Sequence, residues 1–282
     1  MKKRKFEEWC VKVFMVLATI IVTGSFFLIV GTVFYKGFHY MNWDMITKTP
    51  SGGFYIGKAG GILNAIIGSL YVAGGATILG LVISIPVALY INLYLKSKLI
   101  YANTLRLVFD VLFGIPSIVY GAFGFLIMVY FGIRASLLGG IIAVTLLVIP
   151  ILVRTLDEVI RTVPNELRDA TLSLGATRWE VAKVILRQVR PGIFTAILLS
   201  FGRAIGDVAS VLFTAGFSDN VPTSLHEPAA TLPLAIFFQL GSSVEEVQGR
   251  GYASALILTI IVLIITVLSE ILIKRFSKHK IQ

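Results

Sequence analysis

The chain has 282 residues, 56% of them hydrophobic and only 14% charged, whereas an ordinary soluble domain carries roughly 25% charged residues. Its formal net charge of +10 does not point to a nucleic-acid partner, because most of the basic residues flank long apolar runs, where lipid topology calls for them. The one cysteine, Cys10, leaves no intrachain disulfide, and His39, His226 and His279 lie outside the apolar runs with no HExxH or CxxC pattern, so no buried zinc site and no cofactor is expected.

The chain opens with Met1-Lys2-Lys3-Arg4-Lys5 and an apolar run from Val13 to Phe34. That run is longer than the roughly 7–15 residues of a signal core, and no small-x-small cleavage site follows it, so it reads as a retained first span over 13–34. Segments 62–95, 107–133, 135–153, 193–217 and 252–273 reach or approach the about 20 apolar residues that cross roughly 30 Å of hydrocarbon. Backbone polar groups in lipid must be satisfied within the segment, which makes these helices rather than strands. The expected protein is an all-α membrane protein with six transmembrane helices in a single domain over 1–282 and lipid around it. No internal repeat, low-complexity stretch or soluble domain is visible.

The second segment, at 34 residues, would be about 51 Å long as one straight helix and must tilt, protrude or break. Pro86 is the expected kink, and Gly74, Gly75 and Gly80 permit close helix contact. The third segment carries Gly114-Ile-Pro-Ser-Ile-Val-Tyr-Gly-Ala-Phe123. Pro116 frees a carbonyl and should kink the helix there, placing the hydroxyls of Ser117 and Tyr120 near the break; plain helix packing around a kink is the alternative.

The stretch 155–191 between the fourth and fifth spans reads as two short helices separated at Gly175. Pro164 suits a helix start, and Thr177 with Glu180 forms a Thr-x-x-Glu capping box. Leu167, Ala170, Thr171 and Leu174 fall on one face of the first helix, with Glu166, Arg168 and Asp169 around the rest. Such a helix-turn-helix is suited to a groove on a partner, or else to lying on the membrane surface.

The fifth segment places Arg203-Ala-Ile-Gly206-Asp207 inside an apolar run, where charge is costly and usually functional. Arg203 comes 11 residues past the Pro-Gly at 191–192, roughly 16 Å along a helix. An intrahelical ion pair is one reading, although Arg before Asp at i, i+4 opposes the helix dipole. The other is that Arg203 draws an anion into a pathway, its planar bidentate donors matching phosphate oxygens. Asp207 would then orient Arg203, or accept a hydrogen bond from a protonated oxyanion. In the loop 218–251 the apolar stretch Leu232 to Leu240 is too short to span and reads as a re-entrant gate or a surface helix.

Orientation follows from the basic residues. With the N-terminus inside, nineteen of the 25 Lys and Arg residues lie on the cytoplasmic side. They fall in the N-terminal tail, at Lys96, Lys98 and Arg106, across 154–190, and in the C-terminal tail. Lys36, Lys48, Lys58, Arg134 and Arg250 lie outside and Arg203 within a span. This bias puts both termini in the cytoplasm. No Walker A loop is present: Gly53-x-x-x-Gly57-Lys58-Ala59 has the wrong spacing and no Ser or Thr. The chain is therefore expected not to be an enzyme, with any ATP hydrolysis on another polypeptide.

Several of these stretches resemble a known family. Asp169-Ala170-Thr171, with Gly175 at the right spacing and Ile185 ten residues on, resembles the EAA motif of permeases of binding-protein-dependent ABC importers. Arg187-Gln188 stands where that family has Leu-Pro. Gly-Ile-Pro-Ser-Ile-Val-Tyr-Gly at 114–121 and Arg203-Ala-Ile-Gly-Asp207 resemble the signatures of phosphate importer permeases, with Asp207 in place of the usual Glu. Leu212-Phe213-Thr214-Ala215 and His226-Glu227-Pro228 through Leu232-Pro233 are similar to the PstA-type branch. The resemblance implies the type I ABC importer permease fold in a bacterial inner membrane. It implies that 155–191 couples to an ATPase through Glu166, Asp169, Ala170, Thr171 and Gly175. It implies a substrate pathway near Pro116, Ser117, Tyr120, Arg203 and Asp207. The partners would be a PstC-type permease, two PstB-type ATPases and an extracytoplasmic phosphate-binding protein. A permease for sulfate or molybdate remains the near alternative. A self-contained secondary transporter is the distant one, and such transporters often carry internal repeats.

Overall fold

The computed structural model describes residues 2–51, 59–95 and 98–277; the Gly53–Lys58 stretch lies outside them. Every regular element described is helical. In chain order they are α1 (Lys2–Tyr40), α2 (Trp43–Thr47), α3 (Leu63–Leu89), which continues into a π-turn at Tyr90–Tyr94, and α4 (Leu99–Gly114). There follow α5 (Ser117–Tyr130), α6 (Leu137–Arg161), α7 (Asn165–Ser173), α8 (Arg178–Gln188), α9 (Arg190–Ile205), α10 (Leu232–Leu240) and α11 (Glu245–Ser277). Among the described residues, four helices are long and apolar enough to cross a membrane: α1, α3 with its π-turn, α6 and α11. Two bent pairs, α4–α5 at 97° and α8–α9 at 71°, bring the total to six if each counts once. In the second pair the apolar part is α9, because α8 carries Arg178, Glu180, Lys183 and Arg187.

The centre of the bundle is the α3–α6 contact. Ala73, Ala76, Gly80 and Ser84 line α3 where it meets Val144, Val148 and Leu152 of α6. Lipid tails are as apolar as these side chains, so close packing of small residues, rather than exclusion of water, holds such helices together. A Cβ on Gly75 would meet Ile141 at 2.8 Å and one on Gly80 would meet Leu152 at 2.8 Å, while one on Gly74 would meet nothing within 4 Å. Gly75 and Gly80 therefore permit the close approach, and Gly74 does not take part. Ala196, Ala204 and Ile205 of α9 and Val181, Ala182 and Ile185 of α8 complete this core.

A second cluster gathers Met45, Ile62, Ala65, Ala230, Leu232, Ala235, Ala253 and Ile257 at one end of the bundle. Here α10 is neither a surface helix nor exposed along its length: Leu232, Pro233, Leu234, Ala235 and Gln239 are buried. Its first amide, Leu232 N–H, donates to Ser69 Oγ at 2.7 Å. The adjoining loop is stitched to the start of α6, whose first amides have no intrahelical acceptors. Ser136 N–H bonds the Thr214 carbonyl at 3.0 Å, Leu137 N–H bonds that of Glu227 at 2.7 Å, and Leu138 N–H bonds that of Leu225 at 2.8 Å.

Helix α1 has α11 as its main partner. It packs on α11 at its end, where a Cβ on Gly37 would sit 2.7 Å from the Tyr252 carbonyl and the Lys36 ammonium lies 4.8 Å above the Tyr252 ring. From Arg4 to Lys36 the helix is exposed except at half-buried Gly24, Val30 and Val33.

Two expected spans differ in form. The segment 107–133 is not one kinked helix but α4 and α5 meeting at 97°. Ile115 takes extended angles (φ −70°, ψ 132°), the conformation a following proline imposes. The segment 193–217 is helical only as far as Ile205, and Gly206 ends it. The chain then runs through turns over 206–215.

Candidate functional site: two broken helices in contact

The break at Pro116 and the end of α9 lie against each other. Proline carries no N–H and suits the position just before α5. Across the break the Tyr120 hydroxyl donates to the Leu112 carbonyl at 2.7 Å, which also accepts the Ile115 N–H at 3.1 Å, so the last turn of α4 is held from both sides of the break. Tyr120 is thus buried and turned back onto α4, while Pro116 is exposed and Ser117 half-buried.

Past the end of α9, the Asp207 carboxylate accepts the Ser210 N–H at 2.8 Å through Oδ2, capping the turn that follows, and through Oδ1 it meets Arg203 Nη1 at 3.3 Å. Ser210 Oγ then donates to the Ser117 carbonyl at 3.3 Å. These contacts place Arg203, Asp207, Ser117 and Pro116 on one junction. The backbones touch there: a Cβ on Gly121 would stand 2.6 Å from the Ala209 carbonyl oxygen.

The two charges differ in surroundings. The Asp207 side chain is 2% exposed and that of Arg203 is 45% exposed. Arg203 shares the open face of α9 with Thr195, Leu199, Gly202 and Gly206, and borders a cleft of about 510 Å³ between α9 and α11. The pair is also not intrahelical, because Asp207 lies beyond the helix end. The Gly206 break and the Asp207 cap set its geometry, rather than the helical i, i+4 spacing.

The second group of expected residues stands apart from this junction. Pro164 precedes α7, and Gly175, at φ +80°, makes the left-handed turn to α8 that glycine adopts without steric cost. The capping box forms: Glu180 accepts the Thr177 N–H at 2.7 Å and the Thr177 hydroxyl at 2.9 Å. These hydrogen bonds lower the Glu180 pKa below its ordinary value. No α7 side chain is buried. Glu166, Asp169, Ala170 and Gly175 are exposed, Thr171 is half-buried, and Leu174 is 88% exposed. Leu172 and Trp179 add further open apolar surface.

Sequence reading missed three participants. Ser210 joins the two breaks; Asp207-x-x-Ser210 is a capping spacing that the surrounding hydropathy concealed. Asp157, buried near the end of α6, binds Arg106 of α4 at 2.9 Å. Asn92 in the π-turn donates to Asp157 at 2.7 Å.

Comparison with known proteins shows the family and the fold. Residues 80–282 match the family described as binding-protein-dependent transport system inner membrane component. The chain is 33% identical over 264 residues to the phosphate transport system permease protein PstA of Haemophilus influenzae, covering 92% of this chain and 90% of that protein. It is 34% identical to the protein of the same description from Pasteurella multocida, over 90% of this chain and 91% of that one. Among solved structures it is similar to a chain of the MetNI methionine ABC transporter in an inward-facing conformation. The TM-score is 0.60 at 18% identity, over 76% of this chain and 95% of that chain, which establishes the type I importer permease fold.

Proposed function

This chain belongs to the family of binding-protein-dependent transport system inner membrane components, and from that membership we propose that it forms half of the membrane pathway of an ATP-driven importer of inorganic phosphate. It is a transport subunit of the inner membrane, and ATP hydrolysis belongs to a separate subunit of such importers. The names of its relatives, phosphate transport system permease proteins, support the substrate. The observation that carries the reading in this chain is Arg203: a half-exposed guanidinium at a helix break, held from behind by a buried carboxylate. Its remaining donors face the open side of α9, and a guanidinium fork suits phosphate oxygens. With both carboxylate oxygens engaged and the side chain buried, Asp207 orients Arg203 rather than meeting the oxyanion itself.

The open faces of α5 and α9 leave the pathway half-walled, which suits a second permease of the PstC type. The unburied α7 and the exposed Leu174 and Trp179 suit docking to one of two PstB-type ATPases through Glu166, Asp169, Ala170, Thr171 and Gly175. A phosphate-binding protein would dock at the opposite end. Both termini then lie in the cytoplasm, as the basic-residue bias requires. Closure of the ATPases on ATP would draw the coupling helices together and open the pathway outward.

The test is phosphate uptake in cells lacking this chain, complemented with wild type or Arg203→Ala at equal membrane expression. Wild type restores ATP-dependent uptake and Arg203→Ala does not. Failure of wild type to restore phosphate uptake, with sulfate or molybdate uptake restored instead, would overturn the substrate.

A further inference from the structure

Helix α3 does not finish as an α-helix. In the π-turn Tyr90–Tyr94, Leu95 N–H bonds the Tyr90 carbonyl at 3.2 Å. Single π-turns inside or at the end of α-helices are uncommon and concentrate at functional sites. At this one the Asn92 and Leu93 carbonyls receive donors from another element. Arg168, half-buried on α7, gives Nη1 to the Asn92 carbonyl at 3.1 Å and Nη2 to the Leu93 carbonyl at 3.0 Å. From α8, the Arg178 guanidinium sits 5.1 Å from the centroid of the Tyr94 ring.

The same π-turn reaches inward. Asn92 Nδ2 donates to Asp157 Oδ1 at 2.7 Å. Asp157 also holds Arg106 in a two-point fork, Nε to Oδ2 at 2.9 Å and Nη2 to Oδ1 at 3.1 Å. Bidentate, charge-assisted bonds of this kind are strong and directional, and removing one partner of a buried pair is costly. Arg106 is on α4, and Leu112 follows about 9 Å along the same helix. The Leu112 carbonyl is the one that receives the Tyr120 hydroxyl across the Pro116 break.

We propose that Arg168 is a positioning residue that passes displacement of the α7–α8 pair to the substrate pathway. It grips the π-turn, and through Asn92, Asp157 and Arg106 it moves α4 and the junction at Pro116 and Ser117. Helix α7 buries no side chain, so its hold on the bundle is polar and directional. Helix α8 instead rests on buried Val181, Ala182 and Ile185. This inference rests on the reading of α7–α8 as the ATPase-docking element.

The experiment uses the complete transporter, with partner permease, ATPase and phosphate-binding protein, in proteoliposomes. Phosphate uptake and ATP hydrolysis are measured in the same vesicles, and ATPase co-purification is scored for each variant. In Arg168→Ala the ATPase co-purifies and hydrolyses ATP as in wild type, while phosphate moved per ATP falls roughly tenfold, within the range that coupling networks show. Arg168→Lys is intermediate, because an ammonium is a point donor that does not reproduce the fork. Arg168→Ala combined with Arg106→Gln is no worse than the poorer single variant, as expected for residues acting in series. An unchanged ratio, or a proportional fall of uptake and hydrolysis, would overturn the role of Arg168. Failure of the ATPase to co-purify with Arg168→Ala alone would make Arg168 a docking residue and also overturn it. Docking unaffected by replacing the exposed α7 residues Glu166 and Asp169 together with Leu174 would overturn the docking reading and this proposal with it.

Discussion

Asp207 is both a cap and a counter-ion, and two substitutions separate these tasks. Asp207→Ala leaves the buried Ser210 amide without the acceptor it now has at 2.8 Å, a loss of about 1–3 kcal/mol. It also releases Arg203, but that side chain is 45% exposed, so the screened pair contributes only about 0.2–1 kcal/mol. The cap is the larger of the two, and the alanine variant should lose about 1–4 kcal/mol in all. Asp207→Asn keeps an oxygen at the same distance from the Ser210 amide and removes only the charge, so its loss should stay below about 1 kcal/mol. The assay is the thermal midpoint of the purified transporter in one detergent, read by the fraction that remains monodisperse after heating. Phosphate uptake is measured alongside. The alanine variant should unfold well below wild type and transport poorly, and the asparagine variant should unfold close to wild type. Equal destabilisation by the two would show that the charge, not the cap, holds the junction, and the reasoning from Ser210 would be wrong.

Gly121→Ala places a Cβ 2.6 Å from the Ala209 carbonyl and 2.9 Å from Ser210 Cα. Backbone cannot yield cheaply, so about 1–3 kcal/mol of overpacking is expected in the same thermal assay. Gly74→Ala, with open space around it, should be neutral or stabilising by up to about 1 kcal/mol because alanine is the better helix former. Ser69→Ala strips the buried Leu232 amide of its acceptor and should cost about 1–3 kcal/mol. Ser84→Ala removes a longer bond, 3.4 Å to the Ile149 carbonyl, and should cost less. In α8, the Glu180 carboxylate is held below its ordinary value of 4.5 by hydrogen bonds from Thr177. Its cap is therefore fully present above that value and is lost as the pH falls through the lowered one. Amide-exchange protection in the first turn of α8 should drop with acidification in wild type. In Thr177→Ala it should be lower at neutral pH and change less.

What was legible in the sequence is what short-range physics decides. Apolar runs become helices because lipid offers no other partner to the backbone. The Thr177–Glu180 box and the Gly175 turn are settled within four residues. Pro116 was legible as a break, but its 97° angle was not. That angle depends on Tyr120 reaching back to Leu112 and on Gly121 lying against Ala209 and Ser210, nearly ninety positions away. The end of α9 at Ile205 was masked for a different reason. Hydropathy stays high from 193 to 217, while Gly206 and the Asp207–Ser210 spacing, which do signal a break, carry little weight in such a window.

The π-turn had no local signature at all. Pro86 lies inside α3 without ending it, and the departure from α-helical geometry comes at Tyr90–Tyr94, where Arg168, 75 residues beyond Leu93, supplies donors to the Asn92 and Leu93 carbonyls. The same holds at the other end of the bundle. The first amides of α6 needed acceptors somewhere, and these turned out to be Thr214, Glu227 and Leu225; Thr214 and Glu227 lie in motif-like stretches that gave no hint of that task. A helix in lipid can close its own hydrogen bonds everywhere except at its ends and breaks, so those are the places where it must borrow partners from distant sequence. They are also the places where two arrangements of nearly equal energy are attainable. A transporter that alternates between two states therefore concentrates its moving parts where single-sequence reasoning sees least, and the junction at Pro116, Ser117, Asp207 and Ser210 fits that requirement.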